Sequence, residues 1–405
     1  MSERHPLDPA LAERVRRRLA RGAGQASPAA VASVLREETG GLVGDTALLE
    51  LVRAAQSEFV GAGPLEPLLA DPETTDVLVN APDQVWIDRG GGLQRAPVRF
   101  ADEAAVRRLA QRLAALAGRR LDDAQPWVDA TIGDGIRVHA ILPPVAADGA
   151  CLSLRVMRRR ALDLDELVRR GTVDERGAAV LRAIVAARIA FLVTGGTGTG
   201  KTTLLGCLLD LVDPAERIVI ADDAGELRPR HRHVVRLITR PANIEGAGSV
   251  TLRDLVRQAL RMRPDRIVVG EVRGGEVVEL LMALNTGHDG GCGTVHANSA
   301  TELPARLEAL GGLGGLDAAA LHSQAAAALQ VAIHLARDRA GVRRVAEICV
   351  LGRADARVQV LAGWRRDGGP VPGAGRLRRL LGDRGFGPDA LGGAIAGTPS
   401  TACPA

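Results

Sequence analysis

Lys201 is the only lysine in the chain, and it stands in the run GGTGTGKTT at residues 195–203. This run contains the complete G-x-x-x-x-G-K-[ST] pattern, between the apolar run FLVTG and the helix-like run LLGCLLDLV. Gly195, Gly198 and Gly200 allow backbone conformations that side chains would block, so the N–H groups of Gly196, Thr197, Thr199 and their neighbours can turn inward around phosphate. Lys201 supplies a point charge for the outer phosphates, the Thr202 hydroxyl suits Mg²⁺, and Thr203 continues into the helix. Arginine fills almost every other basic position, and its wide planar head would not fit a tight cradle where an ammonium does. The ligands expected are a nucleotide such as ATP and Mg²⁺.

A phosphate loop serves many reactions, so the acidic strand ends carry the next step. RIVVGE (266–271) is an apolar run ending in Glu271, and in open parallel sheets ligands bind at the carboxyl ends of the strands. Glu271 could orient and deprotonate an attacking water. RIVIADDAGEL (217–227) supplies Asp222, Asp223 and Glu226, any of which could serve as the base instead. TGHDGGCGTVHANS (286–299) places His288 before a predicted strand and His296 at its end, with Gly290, Gly291 and Gly293 marking a close backbone turn. That histidine spacing matches no zinc pattern and fits phosphate sensing or orientation of the acidic groups.

These residues need a scaffold, and the hydrophobic pattern supplies one. FLVTG (191–195), RIVIADD (217–223), RIVVGEV (266–272) and GCGTVHA (291–297) alternate with helical stretches, which predicts a mainly parallel sheet flanked by helices. An Ala-rich helix near 317–330 follows, then a hairpin formed by VAIHLARD and RRVAEICVL. Earlier, DVLVN (76–80), QVWID (84–88) and GLQRAPVRF (92–100) read as short strands. An amphipathic helix at 102–117, a strand pair over 128–144 and CLSLRVM (151–157) complete a smaller α+β domain. The division expected is a helical segment over 1–57, an α+β domain over 58–157, an α/β domain over 158–362 and a disordered Gly/Pro/Arg-rich tail over 363–405.

Composition narrows the partners. Aromatic residues make up 2% of the chain and formal net charge is +4, a poor basis for stacking bases or tracking a phosphate backbone. Most arginines are expected on solvated surface. No apolar run is long enough to span a membrane and the N-terminus lacks a signal-peptide core, so a cytoplasmic protein is expected. The five cysteines are scattered and read as reduced thiols.

The loop 195–203, the acidic segment 222–226, RPANIEG (240–246), LRDLVRQALRMRPDRIVVGEVRG (252–274) and NTGHDG…HANS (285–299) together resemble the secretion ATPases of type II and type IV secretion and pilus assembly. Within that superfamily the CpaF-type tight-adherence (Flp) pilus ATPase is most similar. GPLEPLLADPETTDVLVNAPDQVWIDRGG (63–91) and the segment 118–144 extend the likeness into the first domain. The resemblance implies a RecA-like P-loop domain after an α+β domain, a homo-hexameric ring, and nucleotide between the domains. It also implies partners: a polytopic inner-membrane platform protein and, through it, pilin subunits. It assigns Lys201 and Thr202 to the nucleotide loop, Glu271 to the Walker B position, Asp222 to Glu226 to the acidic box, and His288 and His296 to the histidine box. Arg137 and Arg155 are candidates to meet phosphate from the first domain, with Arg236 and Arg240 as weaker ones. Three features depart from the family pattern: Asp222 replaces a glutamate, Val156 and Met157 replace Lys-Phe, and Gly291, Cys292 and Gly293 suggest a looser histidine loop. A nucleic-acid translocase and a nucleotide-binding regulator without turnover are the competing readings.

Overall fold

The computed structural model describes residues 11, 14–15, 17–18, 28–39, 51–53, 55, 61–133, 135–156, 162–240, 242 and 247–387. The chain divides into two compact units, Met1–Arg158 and Arg159–Ala405. The charged run Arg158 to Arg160 at the expected domain boundary, most of RPANIEG, and residues 388–405 lie outside the described residues, as does much of the helical segment before residue 58.

In the first unit a six-stranded sheet has the order β3-β2-β1-β6-β5-β4. Its strands are β1 (Asp76–Ala81), β2 (Gln84–Asp88), β3 (Leu93–Arg95), β4 (Trp127–Ile132), β5 (Ile136–Ile141) and β6 (Cys151–Val156), and every pairing is antiparallel. Alternation of apolar and polar residues puts Val77, Val79, Val138, Leu152 and Leu154 on a buried face. Against them pack Val106, Leu109 and Leu113, from the helix Glu103–Leu116. Asp102 caps that helix by accepting a 2.7 Å hydrogen bond from the Ala105 N–H. The helix Pro28–Glu38 contributes Val31 and Leu35 to a separate small cluster with Leu11, Val15 and Ala55.

The second unit is built on an eight-stranded sheet, in the order β14-β13-β12-β7-β11-β10-β8-β9. Six neighbouring strands run parallel: β12 (Val331–Arg337), β7 (Phe191–Gly195), β11 (Cys292–His296), β10 (Arg266–Val272), β8 (Ile218–Asp222) and β9 (Val234–Ile238). β13 (Arg343–Ala354) and β14 (Arg357–Arg365) add an antiparallel meander at one edge. Strands β7 and β8 are buried along their whole length, as expected when helices cover both faces. On one face lie the helices Glu175–Ala186 and Lys201–Leu209, and on the other Leu252–Ala259, Val277–Asn285, Leu303–Leu313 and Ala318–Ala328.

Two expectations need correction. The chain after Gly363 is not uniformly disordered: β14 runs to Arg365, and a helix spans Ala374–Gly382. Its leucines recur at helical spacing, and Leu377 and Leu381 are fully buried in the same core as Trp364. Gly363 is needed there, because a Cβ would sit 2.8 Å from a methyl of Leu377. The histidine segment is not loosened by its glycines. A Cβ on Gly291 would lie 2.5 Å from Leu284, and one on Gly293 2.8 Å from the Val269 carbonyl, so both permit close packing of β11. Arg266 is an exception among arginines expected mostly on the surface: it lies in the core, 2% exposed, with Nε 2.8 Å from Glu216 and Nη2 donating to the Val185 carbonyl. Its charge is tolerated because it is paired and hydrogen-bonded.

Candidate functional site

The carboxyl ends of β7, β11, β10 and β8 gather most of the residues singled out by the sequence. β7 ends at Gly195, whose φ of +152° and closeness to β12 exclude a side chain: a Cβ would lie 2.5 Å from the Leu335 carbonyl oxygen. Gly198 and Gly200 also have positive φ, +68° and +98°, and Gly200 starts the helix Lys201–Leu209 with no side-chain cap. The orphan N–H groups of that first turn therefore remain available to an anion. Lys201 is 9% exposed and folds back on the loop, its Nζ donating to the carbonyls of Gly195 at 3.1 Å and Gly196 at 3.0 Å. Burial pushes its pKa down, the Glu271 carboxylate opposes the shift, and Arg273 adds to it. The Thr199 hydroxyl closes the loop on the Gly196 carbonyl at 2.9 Å. Thr202 makes no side-chain hydrogen bond among the described residues, which leaves its hydroxyl free for a metal.

Glu271 sits at a register shift between Val269 and Val272, an extra residue in β10 relative to β11. Bulges of this kind re-aim side chains at sheet rims, and the freed Gly270 carbonyl accepts from the Thr294 hydroxyl at 2.8 Å. The Glu271 carboxylate is held by Arg273, through Nε at 2.8 Å and also through Nη2. Arg273 in turn moderates Asp223, whose carboxyl is pushed up by desolvation, pulled down by Arg273, and pushed up further by Asp222 and Glu276. Glu276 is 9% exposed and accepts from the N–H groups of Arg273 at 2.6 Å and Gly274 at 2.8 Å. Asp222 is buried, its Oδ2 taking the Leu227 N–H at 3.1 Å, and a Cβ on Gly270 would collide with its carboxylate. Its shorter side chain is thus committed to its own loop, while Asp223 and Glu226 are exposed.

His296 ends β11 in register with Gly195 and is half-buried. His288 is at the other end of that strand: it precedes β11, and its Nδ1 lies 3.1 Å from the Ala283 carbonyl. The histidines are therefore not one cluster, because β11 runs between them. Arg236 lies in β9 at the sheet edge. Arg240 pairs with Val250 and donates to the Gly248 carbonyl at 2.8 Å, closing its own loop. Arg137 and Arg155 belong to the first unit, where they are direct cross-strand partners on β5 and β6. Arg137 forms a two-pronged pair with Asp129 at 2.9 and 2.7 Å, and Arg155 meets Asp76 at 3.0 Å. With the Arg155 side chain 60% exposed, that pair contributes little to stability.

Sequence reading missed two contributors from β12. His334 is aligned with Thr194 of β7, and its Nδ1 lies 2.8 Å from the Thr194 hydroxyl. Burial pushes its pKa down, against Glu347, a hydrogen bond with the Asn298 backbone and Glu302. Arg337 donates from Nη2 to the Gly198 carbonyl at 3.0 Å across 139 residues of sequence. Neither side chain belongs to a local motif. Cys207 and Cys292 are buried, and burial pushes their thiols up to about 12.

The strand, glycine loop and helix at Phe191–Leu209, on a parallel sheet with carboxylates at its carboxyl ends, define an α/β phosphate-loop protein. The chain belongs to the type II/IV secretion system protein family, whose model matches residues 58–356. A Mycobacterium tuberculosis (strain H37Rv) protein named for conjugal transfer is 62% identical over 349 residues, covering 85% of this chain and 99% of the relative. The type IV secretion system protein PtlH of Bordetella pertussis is 35% identical over 267 residues, covering 60% of this chain and 78% of its own. Among solved structures, the pilus retraction motor PilT with bound ADP is similar at a TM-score of 0.53 and 22% identity, covering 72% of this chain and 83% of that one, a likeness of fold.

Proposed function

We propose that the chain is an ATP-hydrolysing motor of the CpaF type, with a RecA-like second domain, that works as a hexameric ring with an inner-membrane platform to assemble Flp-type pili or drive secretion. The observation that carries this reading is the convergence, at the carboxyl ends of the parallel strands β7 and β10 on either side of β11, of a glycine cradle with its lysine and the bulge-mounted carboxylate of Glu271. Relatives named for conjugal transfer and type IV secretion support the secretion side of it. The cradle fits a nucleotide's phosphates and the free Thr202 hydroxyl fits Mg²⁺, which when bound would neutralise phosphate charge. Lys201 would leave the loop carbonyls for phosphate, and Glu271 would leave Arg273 to take a proton from water. Asp223 and His296 would orient the groups around them. Arg137 and Arg155 would complete a site from the first unit when a ring forms.

The test is phosphate release by the purified chain with ATP and Mg²⁺, against Lys201→Ala. Turnover that requires Mg²⁺, is lost in the variant, and rises per chain with protein concentration is the expected result. A wild-type chain that binds ATP without releasing phosphate at any concentration would instead be a nucleotide-binding regulator.

A further inference from the structure

The hairpin of β12 and β13 is fastened to the phosphate loop and to the body of the second unit at once. Asp338 organises the turn, its Oδ1 accepting from the N–H groups of Ala340 at 3.0 Å and Val342 at 2.9 Å, and its Oδ2 from Arg344 Nε at 2.9 Å. These bonds hold the Asp338 carboxyl below its ordinary range, the Val342 N–H first among them. Arg344 Nη1 also donates to the Gly171 carbonyl at 2.6 Å, which ties the turn to the segment before the helix Glu175–Ala186. Within this turn, Arg337 uses Nη1 to hold the Gly341 carbonyl at 3.0 Å and Nη2 to hold the Gly198 carbonyl at 3.0 Å. One planar guanidinium thus bridges a preorganised turn and the tip of the glycine loop.

A consequence follows from peptide geometry. In a trans peptide, the C=O of one residue and the N–H of the next point in opposite directions. Holding the Gly198 oxygen outward on Arg337 therefore turns the Thr199 N–H away from Arg337. The charged donor also polarises that peptide and strengthens its N–H as a donor. Without this anchor, the loop has its own lysine and the Thr199 hydroxyl as internal partners, and both draw it in on itself.

We infer that Arg337 is a positioning residue for nucleotide phosphate: it holds the loop tip open and aims the Thr199 N–H into the cradle without touching the reacting atoms. This rests on the nucleotide-binding reading above. Because the loop holds diphosphate and triphosphate alike, the loss should fall on binding of both and spare the chemical step.

The test titrates ADP and ATP, with Mg²⁺, into the full chain and its variants by calorimetry, with kcat measured at saturating ATP. Arg337→Ala should weaken both nucleotides by about tenfold and change kcat by less than about twofold. Arg337→Lys, which can reach one carbonyl but not both, should recover part of the affinity. Both variants should melt near the parent temperature without nucleotide, since Arg337 is exposed. Parental affinity in Arg337→Ala overturns the inference, and so does a fall in kcat with affinity intact. If Arg337→Ala is unstable, Arg337→Lys decides alone: parental affinity for both nucleotides overturns the inference and a partial loss supports it. A parent chain that binds neither nucleotide overturns the underlying reading as well.

Discussion

His334 shows how a buried polar residue can tie separate parts of a site together. Its ring reaches Thr194, the residue before the glycine loop, and its pKa is also influenced by a hydrogen bond with the backbone of Asn298, just beyond β11. A neutral imidazole can accept from the hydroxyl on one nitrogen and donate on the other, whereas the protonated ring loses its acceptor. Burial depresses its pKa in the folded chain, so the unfolded chain binds the proton more readily. The linked stability is fully present above the unfolded value of about 6.5 and is lost as pH falls through the folded value. Thermal melts below about pH 6.5 should therefore show a loss of stability that His334→Gln reduces. An identical pH profile in the variant would remove His334 from this role. Lys201 and Glu271 belong to the same scale, each paired inside the protein with a group it would leave in the proposed mechanism: the loop carbonyls for one and Arg273 for the other.

At the scale of elements, the helix Ala374–Gly382 changes what the end of the chain is expected to tolerate. Leu377 and Leu381 fill a core shared with Trp364, whose ring lies against Gly177 in the helix Glu175–Ala186. Leu381→Ala should cost about 2–5 kcal/mol by leaving a cavity, read as a lower urea midpoint with an unchanged slope. A chain ending at Arg366 should lose more, since it removes the whole helix, and a melting temperature equal to the parent's would contradict this packing. Strands with strong apolar runs, such as FLVTG and RIVVGEV, were legible in the sequence because burial on both faces leaves a dense signal. β9 was not, because an edge strand with the pattern VVRLI is half-exposed and carries a weak one. The terminal helix was hidden by averaging its leucines with the glycines and arginines around them. Lys201, Glu271 and His296 lie where motif and strand-end reasoning put them. The bulge, the Arg273 clamp on Glu271 and the reach of Arg337 depend on which strands become neighbours, and the separation of His288 from His296 on the direction of β11.

On the scale of the whole molecule, the groups proposed to act together are carried by different units. Arg137 and Arg155 form an adjacent pair on the first sheet, and the glycine loop and its carboxylates lie on the second. If the chain is a ring-forming motor, an intact second unit is necessary for turnover but not sufficient. The proposed mechanism requires ATP to be hydrolysed with Glu271 as the group that activates water. The most direct measurement compares Glu271→Gln with the parent for ATP affinity and for phosphate release under one set of conditions. The variant is nearly isosteric and should bind ATP at close to parental affinity while releasing phosphate slower by a factor on the order of 10². Parental phosphate release in Glu271→Gln would contradict this role for Glu271 and leave Asp222, Asp223 and Glu226 as candidates for the base.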